Sequence, residues 1–83
     1  MTNTIINKEV TVTRIGFKKD MRAYPREVEY EGAVYDFIDA GISCMVRSGE
    51  RTKQILTLTD GNAQFRLRGD ERGSVWTLLS VSA

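Results

Sequence analysis

The 83 residues carry 12 Lys+Arg against 11 Asp+Glu and no histidine. A net charge of +1 supplies no global field to draw the molecule onto nucleic acid or an anionic membrane. The length allows one hydrophobic core. With a single cysteine, Cys44, and no histidine, the usual zinc and iron ligand sets cannot be assembled, so neither a metal nor another cofactor is expected.

The first seven residues, Met1-Thr2-Asn3-Thr4-Ile5-Ile6-Asn7, have neither a basic start nor a long apolar run. They read as a flexible N-terminus (1–7) before a single β domain (8–83), with no signal peptide or membrane span and with the cytoplasm as the expected location. From there the chain alternates apolar and polar residues with period two, the pattern of half-buried strands. In the first strand, 8–17, Val10 and Val12 set one parity and Ile15 and Phe17 the other, which predicts a β-bulge near Thr13-Arg14. The segment 16–25 follows no period and reads as the longest loop, with room for one helical turn before Tyr24-Pro25.

Strands are then expected at 25–31 and 33–38 around Glu31-Gly32. A two-residue turn there pairs Tyr30 with Ala33, Val28 with Tyr35 and Arg26 with Phe37. A tight connection at Asp39-Ala40 would pair the next strand, 41–47, so that Phe37 meets Ile42, Tyr35 meets Cys44 and Ala33 meets Val46. A three-residue loop at Ser48-Gly49-Glu50 would keep Ile42, Cys44 and Val46 on the side of Leu56 and Leu58 in strand 52–59. Asp60-Gly61 suits a type I′ turn into strand 62–68, pairing Leu58 with Ala63 and Leu56 with Phe65. In the final hairpin, 69–73, a four-residue loop into strand 74–82 opposes Phe65 with Trp76 and places the ring inside, the favoured reading, whereas a five-residue loop turns it outward beside Arg66.

The sum is an all-β fold: an antiparallel meander of about seven short strands curled into a small barrel or half-barrel, since closure removes exposed edges. Its expected centre is Val28, Tyr35, Phe37, Ile42, Leu56 and Phe65. Gly49, Gly61, Gly69 and Gly73 fall at separate turns and build no phosphate loop.

Catalysis is not expected, because the usual bases and nucleophiles are scarce and the carboxylates fall on turns or outer faces. Cys44 reads as a small core residue between Ile42 and Val46. The outer face is more informative. It collects Glu27, Glu29 and Asp36 on one hairpin and Arg47, Lys53, Arg66 and Arg68 on the following strands, with Lys53 opposite Arg68 as a like-charge pair. These four cations are the candidate contacts for an anion or single-stranded nucleic acid, with Phe17, Tyr24 and Trp76 as the aromatics available for stacking. Lys18, Lys19, Arg22 and Tyr24 of the 16–25 loop form a second candidate contact.

The run Pro25-Arg26-Glu27-Val28-Glu29-Tyr30-Glu31-Gly32-Ala33-Val34-Tyr35, with the later Trp76-Thr77-Leu78, resembles small uncharacterised bacterial β domains. The resemblance implies the meander and no activity. The functional expectation is a non-catalytic binding or scaffolding domain that contacts another protein or self-associates through an open edge at the first or last strand. Weak single-stranded nucleic-acid binding through the basic face is the alternative.

Overall fold

A computed structural model describes residues 3–70 and 75–83. Seven antiparallel strands, β1(Asn3–Phe17), β2(Ala23–Tyr30), β3(Ala33–Asp36), β4(Ile42–Ser48), β5(Arg51–Thr59), β6(Gln64–Gly69) and β7(Trp76–Ser82), form one sheet. Their spatial order is β3-β2-β1-β7-β6-β5-β4. The all-β meander is therefore present, and the sheet curls without closing into a barrel. Of the final hairpin loop, Glu71, Arg72 and Gly73 lie outside the described residues, as do Met1 and Thr2 of the N-terminal segment.

β1 organises the curl. It pairs with β7 through residues 3–10 and with β2 through residues 11–17. Asn3, Thr4 and Ile5, expected in a flexible terminus, pair with Ser82, Val81 and Ser80. The bulge expected near Thr13-Arg14 is there. Val12 faces Val28 and Arg14 faces Glu27, which leaves Thr13 between them with its hydroxyl donating to the Glu27 carbonyl (3.1 Å) and carboxylate (2.9 Å). Such a bulge bends and twists a strand, and here it falls within the part of β1 that holds β2, two residues past the start of that pairing at Thr11.

The β2–β3 wing closes over the inner face of the sheet. Glu31 and Gly32 both take positive φ (51° and 80°), the signature of a type I′ turn. The register is the expected one, with Tyr30 on Ala33 and Val28 on Tyr35. The Phe37 amide donates to the Arg26 carbonyl at 2.8 Å. Tyr35 and Phe37 carry the wing onto β6: their rings lie 4.9 and 5.2 Å from Phe65.

Beneath the wing lie Val10, Tyr24, Val28, Phe37, Leu56, Leu58, Phe65, Leu67, Trp76 and Leu78. Fully burying an aliphatic or aromatic side chain of this size contributes about 1.5–3 kcal/mol. Two rings owe their places to glycine. Tyr24 lies over Gly16 and Trp76 over Gly69, so close that a Cβ at either glycine would come within 2.7 or 2.8 Å of the ring.

Four expected registers change. At the β5–β6 turn the Asp60 carboxylate accepts the amides of Asn62 and Ala63, both at 2.9 Å, and Thr59 donates to the Ala63 carbonyl at 2.8 Å. Asp60 keeps a negative φ, so the turn is not type I′ and the loop takes four residues, 60–63. Leu58 thus faces Phe65 and Leu56 faces Leu67. The two-residue slip preserves the inner face. At the β6–β7 hairpin Trp76 faces Gly69, not Phe65, and is buried at 5% exposure as expected.

The other two changes reverse expectations. β3 and β4 do not pair: no Cα of β3 comes within 8 Å of a Cα of β4. Instead the Ile38 amide donates to the Thr59 carbonyl at 3.0 Å and Asp39 accepts the Gly41 amide at 2.8 Å, turning the chain under the end of β5. Gly41 sits at φ +62° against the Thr57 carbonyl, where no side chain fits. β4 and β5 are joined by the two-residue turn Gly49-Glu50, with positive φ at Gly49, the type II′ pattern. That even loop places Ile42, Cys44 and Val46 opposite Thr57, Ile55 and Lys53 on the outer face. Ile42 is 73% exposed and Cys44 is exposed, so neither is a core residue.

Candidate functional site

The corrected registers redistribute the basic candidates. Arg66 and Arg68 stand two residues apart on the outer face of β6, opposite Thr57 and Ile55 of β5 and Ser80 and Thr77 of β7. Lys53 lies diagonally across from Arg68, not opposite it, so the expected like-charge pair does not form. Arg47 parts from the other three. It faces Thr52, on the side of Gln54 and Leu56, and belongs to the opposite face. Ion pairs among the described residues form elsewhere, at Lys8–Glu31, Arg22–Asp20 and Arg26–Asp36. The last two draw charge out of the basic loop and the acidic hairpin.

Next to Arg66 is an open groove of about 420 Å³ lined by Asn3, Thr57, Gln64, Ser80 and Ser82. Hydroxyls and amides there can donate and accept hydrogen bonds, but they include no general base or activated nucleophile.

The second candidate, the β1–β2 loop, is shorter than the sequence suggests. The Lys18 amide donates to the Arg22 carbonyl and the Met21 amide to the Lys18 carbonyl, both at 2.9 Å, so the strands meet at 18–22 with no helical turn. Lys19 and Arg22 are exposed and Lys18 partly buried, but Tyr24 is in the core. Two of the three aromatics considered for stacking, Tyr24 and Trp76, are thus enclosed, and Phe17 stands alone at 66% exposure. The aromatic platform that single-stranded nucleic acid requires is not assembled.

A shifted carboxylate occurs at Asp60, whose pKa is held below the ordinary range by the amides of Ala63 and Asn62. Its work is structural, closing the β5–β6 turn.

The feature that alternation did not reveal is the edge of β4. First and last strands pair with each other, so the free edges fall to β3 and β4. β3 is four residues long and carries Asp36. β4 is seven residues long, Ile-Ser-Cys-Met-Val-Arg-Ser, with one charge, Arg47, and no proline. Ile42 and Val46 are exposed on its outer face and Met45, at 59%, on its inner face, where the β2–β3 wing does not reach. Natural sheets usually blunt such an edge with charge, proline, bulges or a covering loop. In a two-residue hairpin the residues flanking the turn form a hydrogen-bonded pair, and such pairs alternate along the ladder. Counting from Ser48 and Arg51, the main-chain groups of Ser48, Val46, Cys44 and Ile42 bond to β5, while those of Arg47, Met45 and Ser43 point outward.

Comparison of the chain with protein-family models, with curated proteins and with solved structures finds no match. The fold and its edge define the class at hand: an open, curled β-meander in which, among the described residues, β4 is the longer of two edge strands.

Proposed function

We propose that the domain is a non-catalytic protein-binding module that takes up an extended strand along the free edge of β4. The observation that carries this reading is the edge itself, seven residues of alternating outward main-chain groups flanked by exposed Ile42, Met45 and Val46. Strand addition draws its affinity from main-chain hydrogen bonds and its selectivity from alternate side chains. β4 offers both on one edge.

The test is a binding array of extended heptapeptides with apolar residues at alternate positions, read against the parent domain and Met45→Pro. Proline at an outward-pointing position removes an amide from the edge and none from the β4–β5 ladder. Binding to the parent that is lost in Met45→Pro supports the proposal. Equal binding to both proteins, or to neither, counts against it.

A further inference from the structure

We infer that the strand taken up by β4 is β4 of a second copy, paired antiparallel about a two-fold axis through Met45. This rests on the edge-binding reading above and deepens it by naming the partner.

Three observations select that occupant and register. The strand's midpoint is Met45, and Met45 is one of the residues whose main-chain groups point outward. A two-fold axis there uses the full length of both strands, with hydrogen-bonded pairs Ser43 to Arg47, Met45 to Met45 and Arg47 to Ser43. Axes displaced along the strand leave residues unpaired at each end. Charge points the same way: Arg47, the strand's one charge, meets Ser43 of the second copy, whereas an axis at Arg47 would set two like charges face to face. The exposed apolar groups also match, because Cys44 and Val46 pair across the outer face and two Met45 side chains meet on the inner one.

The symmetry is isologous and closed, so it ends at a dimer with β3 at both outer edges. The result is one continuous sheet across two domains. A contact of one strand per partner lies at the small end of specific interfaces, which places the dimer in the weak, concentration-dependent class.

The register makes a covalent prediction. Cys44 and Val46 of the second copy form a non-hydrogen-bonded pair with Cα atoms about 4.5 Å apart, within disulfide reach. The two Cys44 residues, separated by about two residues along the strand, lie about 8 Å apart and cannot be bridged. Under mild oxidation by dissolved oxygen Val46→Cys therefore links rapidly within the dimer through Cys44, whereas the exposed Cys44 thiols of the parent link only slowly, by collision between molecules.

The experiment is sedimentation equilibrium of the full chain from about 10 μM to about 1 mM, a range suited to a small contact, with parent, Met45→Pro, Met45→Lys and oxidised Val46→Cys side by side. A parent monomer–dimer equilibrium supports the inference if its dissociation constant rises at least about tenfold in Met45→Pro and Met45→Lys. Met45→Lys leaves the ladder intact, so it answers even if the proline variant misfolds. Cross-linking of Val46→Cys much faster than of the parent fixes the register, and parent cross-linking through Cys44 at an equal rate overturns it. A parent that stays monomeric throughout overturns self-pairing. If that monomer still binds array peptides in a Met45→Pro-sensitive way, the edge-binding reading survives without its proposed partner. If it binds none, both fall.

Discussion

Gly69→Ala tests the packing beneath the wing. Gly69 faces Trp76 across the β6–β7 ladder, and a Cβ there would stand 2.8 Å from Cη2, 2.9 Å from Cζ3 and 3.2 Å from Cζ2 of a ring that is 5% exposed. Ordinary contact begins near 3.4 Å, so the ring must shift by roughly half an ångström against Val10 and its neighbours, and overpacking of this kind costs about 1–3 kcal/mol. Gly69 does not occupy a positive φ, and so alanine also restricts the unfolded chain and returns about 0.5–1 kcal/mol. The middle of these ranges is a net loss of about 1–1.5 kcal/mol, or a fall in Tm of about 4–12 °C for a domain of this size. Urea denaturation followed by far-UV circular dichroism measures it. Repeating the substitution on Trp76→Leu isolates the ring: with the indole gone, Gly69→Ala becomes neutral or stabilising. A Gly69→Ala protein as stable as its parent, or an equal loss in the Trp76→Leu background, would refute the stacking argument.

Leu56→Ala, at a fully buried position under the wing, is expected to lose about 2–5 kcal/mol. That is a large fraction of the roughly 4–12 kcal/mol available to a domain of this length, and a urea melt checks it. Cys44 is exposed, so in dilute folded protein it should react with a thiol reagent at close to the rate of the unfolded chain; full protection would contradict its placement. Asp60, with its folded pKa lowered, contributes stability above the ordinary carboxylate range and loses it as pH falls through the folded pKa. The stability gap between parent and Asp60→Asn should therefore be constant at neutral pH and narrow below about pH 4. Without an exposed aromatic pair beside Arg66 and Arg68, titration with single-stranded DNA at low salt should yield no complex, and a salt-sensitive complex lost in Arg66→Glu would revive the basic face as a site.

The parts of this fold that were legible in the sequence are those decided by local chemistry. Glu31-Gly32 allows one favoured turn, and its register followed directly. The parity change between Val12 and Ile15 pointed to a bulge, and Thr13 is that bulge, but a second irregularity between Arg14 and Ile15 restores the register, so Ile15 and Phe17 stand exposed, at 62% and 66%, instead of packing inside. Trp76 and Phe65 fell inside because a slip of two or four residues leaves a strand's faces unchanged. What alternation does not encode is which strands are neighbours. The local residues suit an Asp39-Ala40 turn as well as the Asp39–Gly41 capture that replaces it, and the capture goes with Phe37 and Tyr35 packing on Phe65, a contact between residues far apart in sequence. The same holds for β4. A three-residue loop at Gly49 buries Ile42, Cys44 and Val46, while the two-residue turn satisfies the glycine equally well and exposes them. Because β1 reaches β7, the edge moved from the chain ends to β4, and the candidate site moved with it.

If a second copy pairs with β4, the outward main-chain groups of that strand are free in the monomer and paired in the dimer. Amide hydrogen exchange resolved by residue, measured at low and at high protein concentration, addresses it directly. The amides of Cys44 and Val46 are expected to be protected by β5 at every concentration, whereas those of Ser43, Met45 and Arg47 exchange fast when dilute and slow together as concentration rises. Protection of Met45 in the dilute protein would show that the edge is already covered, and fast exchange at every concentration would show that no second copy pairs with it.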